Sequence, residues 1–236
     1  MAALFTFTLG EYILSYPGDL AMALMEHVTL GTSGITCSRL GIGAGYGIST
    51  AACERAYYEY NVNYFYPSLP RRGPMLQAIR NIAKAEREKL VVVVQSYDHF
   101  GPFINRTLSK MLGKVGLDYA DILLLGWFNR VPPKAVLDSA QRLKEEGKIR
   151  AIAMSGHNRP LFAELAQRDD NPIDIFMIRY NAKHTGAEKD IFPHLPEERP
   201  GMIAYTATSW AKLLNAKKTP NGEPPLTASD CYRFVL

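Results

Sequence analysis

Cysteine is scarce: Cys37, Cys53 and Cys231 are an odd number with no CxxC spacing, which argues against a disulfide framework or a local zinc motif and fits a reducing cytoplasm. Histidine is sparse as well. His27, His99, His157, His184 and His194 show no HxH or HxxxH spacing, so a metal centre would need ligands brought together only by the fold. Charge of one sign is missing too, because the formal net charge is +4 and only Arg71-Arg72 and Lys217-Lys218 form short basic runs; there is no footprint for nucleic acid. No uncharged run reaches the roughly 18 residues of a membrane span. The apolar opening MAALFTFTLGEYILSYPGDLAMAL holds Glu11, Pro17 and Asp19 and lacks a basic start. It reads as an extension over residues 1–24, neither signal peptide nor membrane anchor, and Met25 opens a segment more typical of a start. No GxSxG elbow is present. GIGAGYG at 41–47 fails the dinucleotide pattern because Tyr46 stands where the last glycine belongs, and it reads instead as a strand-to-helix loop.

What is present suits one globular domain: 236 residues, 47% apolar and 21% charged. From residue 39 short apolar runs alternate with longer helical patterns, as in a parallel α/β fold. Strands are expected over 39–44, 62–66, 90–95, 121–125, 149–154, 174–178 and 201–205. Helices are expected near 50–60, 74–88, 104–115, 134–146, 159–168 and 186–193. Gly147 in KEEGKIR fits a helix C′ position, and the prolines of PPKAVLDSAQRL fit a helix start. Runs such as LVVVV suit strands covered on both faces, and a barrel of eight strand–helix units typically needs about 250 residues. Seven strands are found here, so the eighth unit is missing. The sequence ends in TASDCYRFVL, read as a helix capped by Thr227 or Ser229, with Cys231, Phe234 and Val235 on its apolar face. The open edge points to simple truncation, or to a replacement strand such as ALFTFTL, which alternates with period two near the N-terminus.

The segments LGTSGITCSRLGIGAG, VGLDYADILLLGW, RLKEEGKIRAIAMSGHN, RYN and IAYTATSWAKLL occur in the order and spacing of the aldo-keto reductase family. They resemble its LGxSGLxVSxLGLG, LxxDYIDLLLLHW, EEGKIRAIGVSN, YN and YSPLAWGxL, over about residues 27–236. The resemblance implies a TIM (β/α)8 barrel over residues 25–236, C-terminally incomplete, with its site at the C-terminal ends of the strands. It also implies an oxidoreductase that reduces carbonyls with NADPH. The family's aspartate, tyrosine, lysine and histidine relay has no counterpart: Tyr66 falls at the aspartate, Arg71 or Arg72 at the tyrosine, Gln95-Ser96 at Thr-Lys and Gly126 at the histidine.

Without that relay a carbonyl needs another proton donor, and Tyr66 or His157 is the candidate, with Arg72 as the electrostatic partner that a tyrosine needs near neutral pH. By resemblance, Ser155 contacts the nicotinamide carboxamide and Tyr205 stacks beneath its ring. Thr206, Ser209 and Trp210 belong to the run that wraps the pyrophosphate, while Gly156 and Met177 replace the family's asparagine and glutamine. A second reading is a catalytically inactive barrel holding a small carbonyl or apolar ligand in an aromatic cup of Tyr66, Tyr97, Trp127 and Phe128 beside the arginine pair. A third is a different chemistry built on Asp98, His99 and His157.

Overall fold

The computed structural model describes residues 2–5, 26–68, 71–219 and 223–236. Seven parallel strands follow one another around a barrel: β4 (Leu40–Gly43), β5 (Tyr64–Tyr66), β6 (Val91–Ser96), β7 (Ala120–Leu125), β8 (Ile149–Ser155), β9 (Ile175–Arg179) and β10 (Gly201–Tyr205). The strands expected from apolar runs lie within two residues of these bounds. The edge that the sequence leaves open is closed by β1 (Ala2–Phe5), which runs antiparallel to both neighbours, with Ala3 opposite Ala204 on one side and Leu40 on the other. The N-terminal segment therefore takes the place of an eighth strand, through its first few residues; the remainder of the extension, 6–25, lies outside the described residues.

Each strand alternates between two cores. Side chains such as Tyr64, Val91, Val93, Ile122, Leu124, Ala153 and Ile175 fill the barrel interior, while Phe65, Val92, Val94, Leu123, Leu125 and Ile152 face the helices. With both faces covered, Val91–Val94 are almost fully buried, and each valine contributes about 1.5–3 kcal/mol relative to an exposed one. A hairpin of β2 (His27–Thr29) and β3 (Thr36–Ser38) lies outside the barrel sheet. Leu30, Ile35 and Cys37 of this hairpin pack into the interior core. The hairpin was not anticipated from the sequence.

The helices are α1 (Thr50–Tyr60), α2 (Gly73–Glu86), α3 (Gly101–Val115), α4 (Lys134–Glu145), α5 (Arg159–Ala166), α6 (Ala187–Asp190) and α7 (Ala228–Val235). Gly147 follows α4 with a φ of 67°, the left-handed C′ conformation expected of it. The helix expected over 186–193 is only the single turn of α6, followed by a 3-10 turn at Phe192–His194; Pro193 lacks the N–H that would continue it. Thr227 rather than Ser229 caps α7, forming a capping box with Asp230.

Asp121 anchors the end of β7 away from the barrel mouth. It is fully buried, accepts from the Val92 N–H at 2.9 Å and pairs with Arg87 and Arg150, both at 3.0 Å.

Candidate active site at the barrel mouth

The C-terminal ends of the strands surround a cavity of about 440 Å³. Its lower wall is one ring of inward-facing residues, among them Gly43, Tyr66, Gln95, Ser155, Met177 and Tyr205, each from a different strand. Its upper wall is aromatic: Tyr46, Tyr97, Trp127 and Trp210 line it and keep about half or more of their surface exposed. Tyr97 and Trp127 meet edge to face at 5.4 Å.

Tyr66 ends β5 with its hydroxyl donating a hydrogen bond to Gln95 Oε1. Burial, and then the neighbouring Tyr97, push its pKa far above the usual tyrosine range. The groups that perturb it include no cation. Arg72 sits half-buried at the start of α2, outside the cavity lining, and Arg71 donates to the Tyr46 carbonyl at 3.4 Å. Arg71 thus ties down the mouth loop near Tyr46, and neither arginine is among the groups that shift Tyr66.

Gly126 explains how the floor is built. A Cβ there would lie 2.5 Å from Gln95 Nε2 and 2.7 Å from Tyr97 Cδ1, so the space of a side chain at 126 is taken by an amide and a phenol. Gln95 is a site residue that sequence reasoning passed over. The clue was its alternation with Val91 and Val93, which puts it on the inward face. Ser96 faces away and donates to Asp98 Oδ2 at 2.6 Å.

Ser155 lines the cavity and accepts from the Trp127 N–H at 3.3 Å. Tyr205 also lines it, its pKa pushed up to about 12 by burial, with Arg179 opposing. Beyond Tyr205 the backbone takes an unusual course: Thr206, Ser209, Trp210 and Ala211 all have positive φ, between 49° and 61°. Left-handed backbone costs about 1–2 kcal/mol per non-glycine residue, and the Asn181 amide helps to hold the turn by donating to the Thr206 carbonyl at 2.8 Å. Thr206, Thr208 and Trp210 reach the cavity, whereas the Ser209 hydroxyl is buried with no hydrogen-bond partner among the described residues.

His157 stands at the rim, its Nδ1 3.1 Å from the Tyr205 hydroxyl, while Asn129 Oδ1 accepts from its backbone N–H at 2.6 Å. Partial burial, then Arg179, lower its pKa below the usual histidine value. Its nuclear magnetic resonance titration is therefore expected to have a midpoint below about 6.5. Arg179→Gln should raise that midpoint without restoring it fully, since burial is the larger cause; an unmoved midpoint would remove Arg179 from the site's electrostatics. Because the folded state disfavours the charged form, His157 supports stability above the unfolded pKa, and that support is lost as pH falls through the folded value.

Three expected participants lie elsewhere. Phe128 is 1% exposed and packs in the outer core, so it does not line the cup. Asp98 is engaged by Ser96 and Thr107 and His99 packs on Phe128 with ring centroids 4.4 Å apart; neither lines the cavity, and neither is brought to His157. Among the described residues no group of three or more His, Cys, Asp or Glu side chains could hold a metal ion.

The family model of the aldo/keto reductase family matches residues 50–230, and the chain belongs to that family, a class of oxidoreductases. Similar solved structures include the holo form of the aldo-keto reductase AKR11C1 from Bacillus halodurans, at 22% identity and a TM-score of 0.68 over 86% of this chain and 73% of that one. Another is the thermostable aldo-keto reductase Tm1743 in complex with the inhibitor epalrestat, at 22% identity and a TM-score of 0.67 over 81% and 76% of the two chains. No curated protein matches the chain.

Proposed function

We propose that this barrel holds NADP and a small carbonyl or apolar ligand at its mouth, and that the family's proton relay does not operate in it. The observation that carries this reading is the state of Tyr66, whose hydroxyl is tied to a neutral amide and whose pKa is raised with no cation beside it. A donor of that kind is too weak an acid to protonate a developing alkoxide near neutral pH. Arg72 is absent from the cavity lining and from the groups that shift Tyr66.

The residues present fit the cofactor. The left-handed turn that follows Tyr205 brings Thr206, Thr208 and Trp210 to the cavity, where the Thr208 hydroxyl is a donor that an anionic ligand group would meet; the buried Ser209 hydroxyl lies off the lining. Ser155 would hold the nicotinamide carboxamide, Tyr205 would lie beneath the ring, and Thr206 and Trp210 would enclose the pyrophosphate; Ser209, expected beside them, is buried behind the lining. Bound NADPH supplies a hydride. The free, buried cysteines suit a reducing compartment, the cytoplasm, and no helix among the described residues is long and apolar enough to cross a membrane.

Thermal unfolding with increasing NADPH tests the cofactor reading. The melt should shift upward with the logarithm of NADPH concentration, and an unshifted cooperative melt would refute it. NADPH oxidation with simple aldehydes should stay at the protein-free rate, and Tyr66→Phe should leave it there.

One geometry favours a second, catalytic reading. His157, held at the rim with its Nδ1 3.1 Å from the Tyr205 hydroxyl, is the stronger acid of the two and would donate the proton, recovering it from solvent. Measurable turnover that survives Tyr66→Phe and disappears in His157→Gln would establish that route.

A further inference from the structure

An apolar ridge stands beside the cavity without lining it. Phe100 immediately precedes α3 and Phe103 sits in its first turn. Their rings meet edge to face at 5.4 Å, yet they remain 57% and 52% exposed. Tyr97 and Trp127, also paired edge to face, lie toward the cavity, and Val131 is exposed on the loop after β7. The start of α3 is held in place. Pro102 fixes its first turn, and a Cβ on Gly101 would lie 2.6 Å from the Ala135 carbonyl oxygen of α4. Single exposed apolar side chains are ordinary, but paired ones on neighbouring loops mark a contact surface.

The mobile charge around this ridge has one sign. Arg106 and Lys110 follow Phe103 at the three- and four-residue spacing that shares a helix face. Helical side chains lean toward the N-terminus, which in α3 is the mouth end. Arg130 adjoins Val131 on the next loop. All three cations are exposed and form no ion pair among the described residues. The one carboxylate between residues 97 and 110, Asp98, is half-buried and accepts from Ser96 and Thr107, each at 2.6 Å. On α4, Asp138 is taken up by Lys134 at 2.8 Å.

Phe100, Phe103 and Val131 line neither the mouth cavity nor the groove beside α5, so the ridge projects and does not receive. Projecting rings flanked by arginine and lysine suit a membrane–water boundary, where the rings enter the headgroup layer and the cations meet anionic lipid. A second copy of the chain would instead set like charges against each other.

We infer that this ridge docks the barrel on an anionic lipid surface, such as a cytoplasmic leaflet presents. The contact is peripheral, since no helix among the described residues is long and apolar enough to cross a bilayer. β6, which leads into the ridge, is four strands from β10 in either direction around the barrel. The turn after Tyr205 therefore lies across the mouth from the contact, and docking does not depend on whether a nucleotide is held there.

Sedimentation of the full chain, without nucleotide, with phosphatidylcholine vesicles that contain or lack phosphatidylserine tests this. Partitioning should require phosphatidylserine and weaken as salt rises. Phe100→Ser with Phe103→Ser should lower it at least about tenfold. Arg106→Gln with Arg130→Gln should lower it about twentyfold, since each cation near an anionic surface is worth roughly fivefold. Lys114→Gln with Lys148→Gln, an equal loss of charge at the opposite end of the barrel, should leave it nearly unchanged. If the phenylalanine pair fails to melt cooperatively, the arginine pair decides. Equal sedimentation with both vesicles, an equal loss from the far-end pair, or no sedimentation with either would overturn the inference, the last outcome leaving an acidic protein as the occupant.

Discussion

Asp121→Ala is expected to lower the free energy of unfolding by about 3–5 kcal/mol, the usual result of breaking a buried ion pair from one side. The carboxylate is fully buried and serves three partners at once: the Val92 N–H, Arg87 and Arg150. Of the two cations, Arg87 is the more enclosed, its side chain 12% exposed against 44% for Arg150, and it also stacks on Tyr119, 3.8 Å from the ring centroid. Removing Asp121 would strand the Arg87 charge and leave a β6 N–H without an acceptor. Asp121→Asn should cost less, because an amide oxygen can still accept from Val92. Chemical denaturation measures both. A change within about 0.5 kcal/mol, typical of an unimportant surface site, would mean that solvent reaches the cluster. Any NADPH-induced shift of the melt should survive, since Asp121 sits at the end of its strand away from the mouth.

The second large effect is expected at the floor of the site. Gly126→His places a side chain where Gln95 Nε2 and the Tyr97 ring lie within 3 Å of the new Cβ, so both must shift, at a cost within the roughly 1–3 kcal/mol typical of overpacking. Reductase activity is not expected to return, because the imidazole would arrive in a site with no lysine beside the tyrosine. Tyr97→Ala in the same chain should relieve part of the strain, and a double-mutant cycle would then show coupling between the two positions. If Gly126→His is as stable as the parent and its partner substitution adds independently, the floor is softer than this packing implies.

Much of the barrel was legible because its signals are local. Apolar runs such as LVVVV are long enough for strands and too short for helices, and Pro132-Pro133 and Gly147 mark helix ends by their backbone chemistry. The replacement of strand eight was harder to see. A short alternating segment such as ALFTFTL specifies a strand but not its neighbours, which depend on an empty slot formed by residues near the other end of the chain. In the site, Ser155, Tyr205, Thr206 and Trp210, singled out by motif, line the cavity, and Ser209 does not. Gln95 was missed because its position was compared by motif letters and not by which face of the strand it occupies. Phe128 was misplaced for a related reason: Trp127 adopts a φ of 60°, and this turn of the backbone sends the next side chain outward into the core.

The antiparallel closing strand also bears on how the molecule assembles. Ala3 faces Ala204, so the second edge of β1 is paired only by a strand about 200 residues further along the chain. Contacts so distant in sequence form slowly, because the intervening chain must be ordered first. During synthesis the growing sheet carries a free edge on β4 or β1 until Gly201–Tyr205 emerges. Closure of the barrel, and with it the Tyr205 side of the mouth, therefore depends on contacts distant in sequence, and an unpaired edge exposed before closure is a site for aggregation.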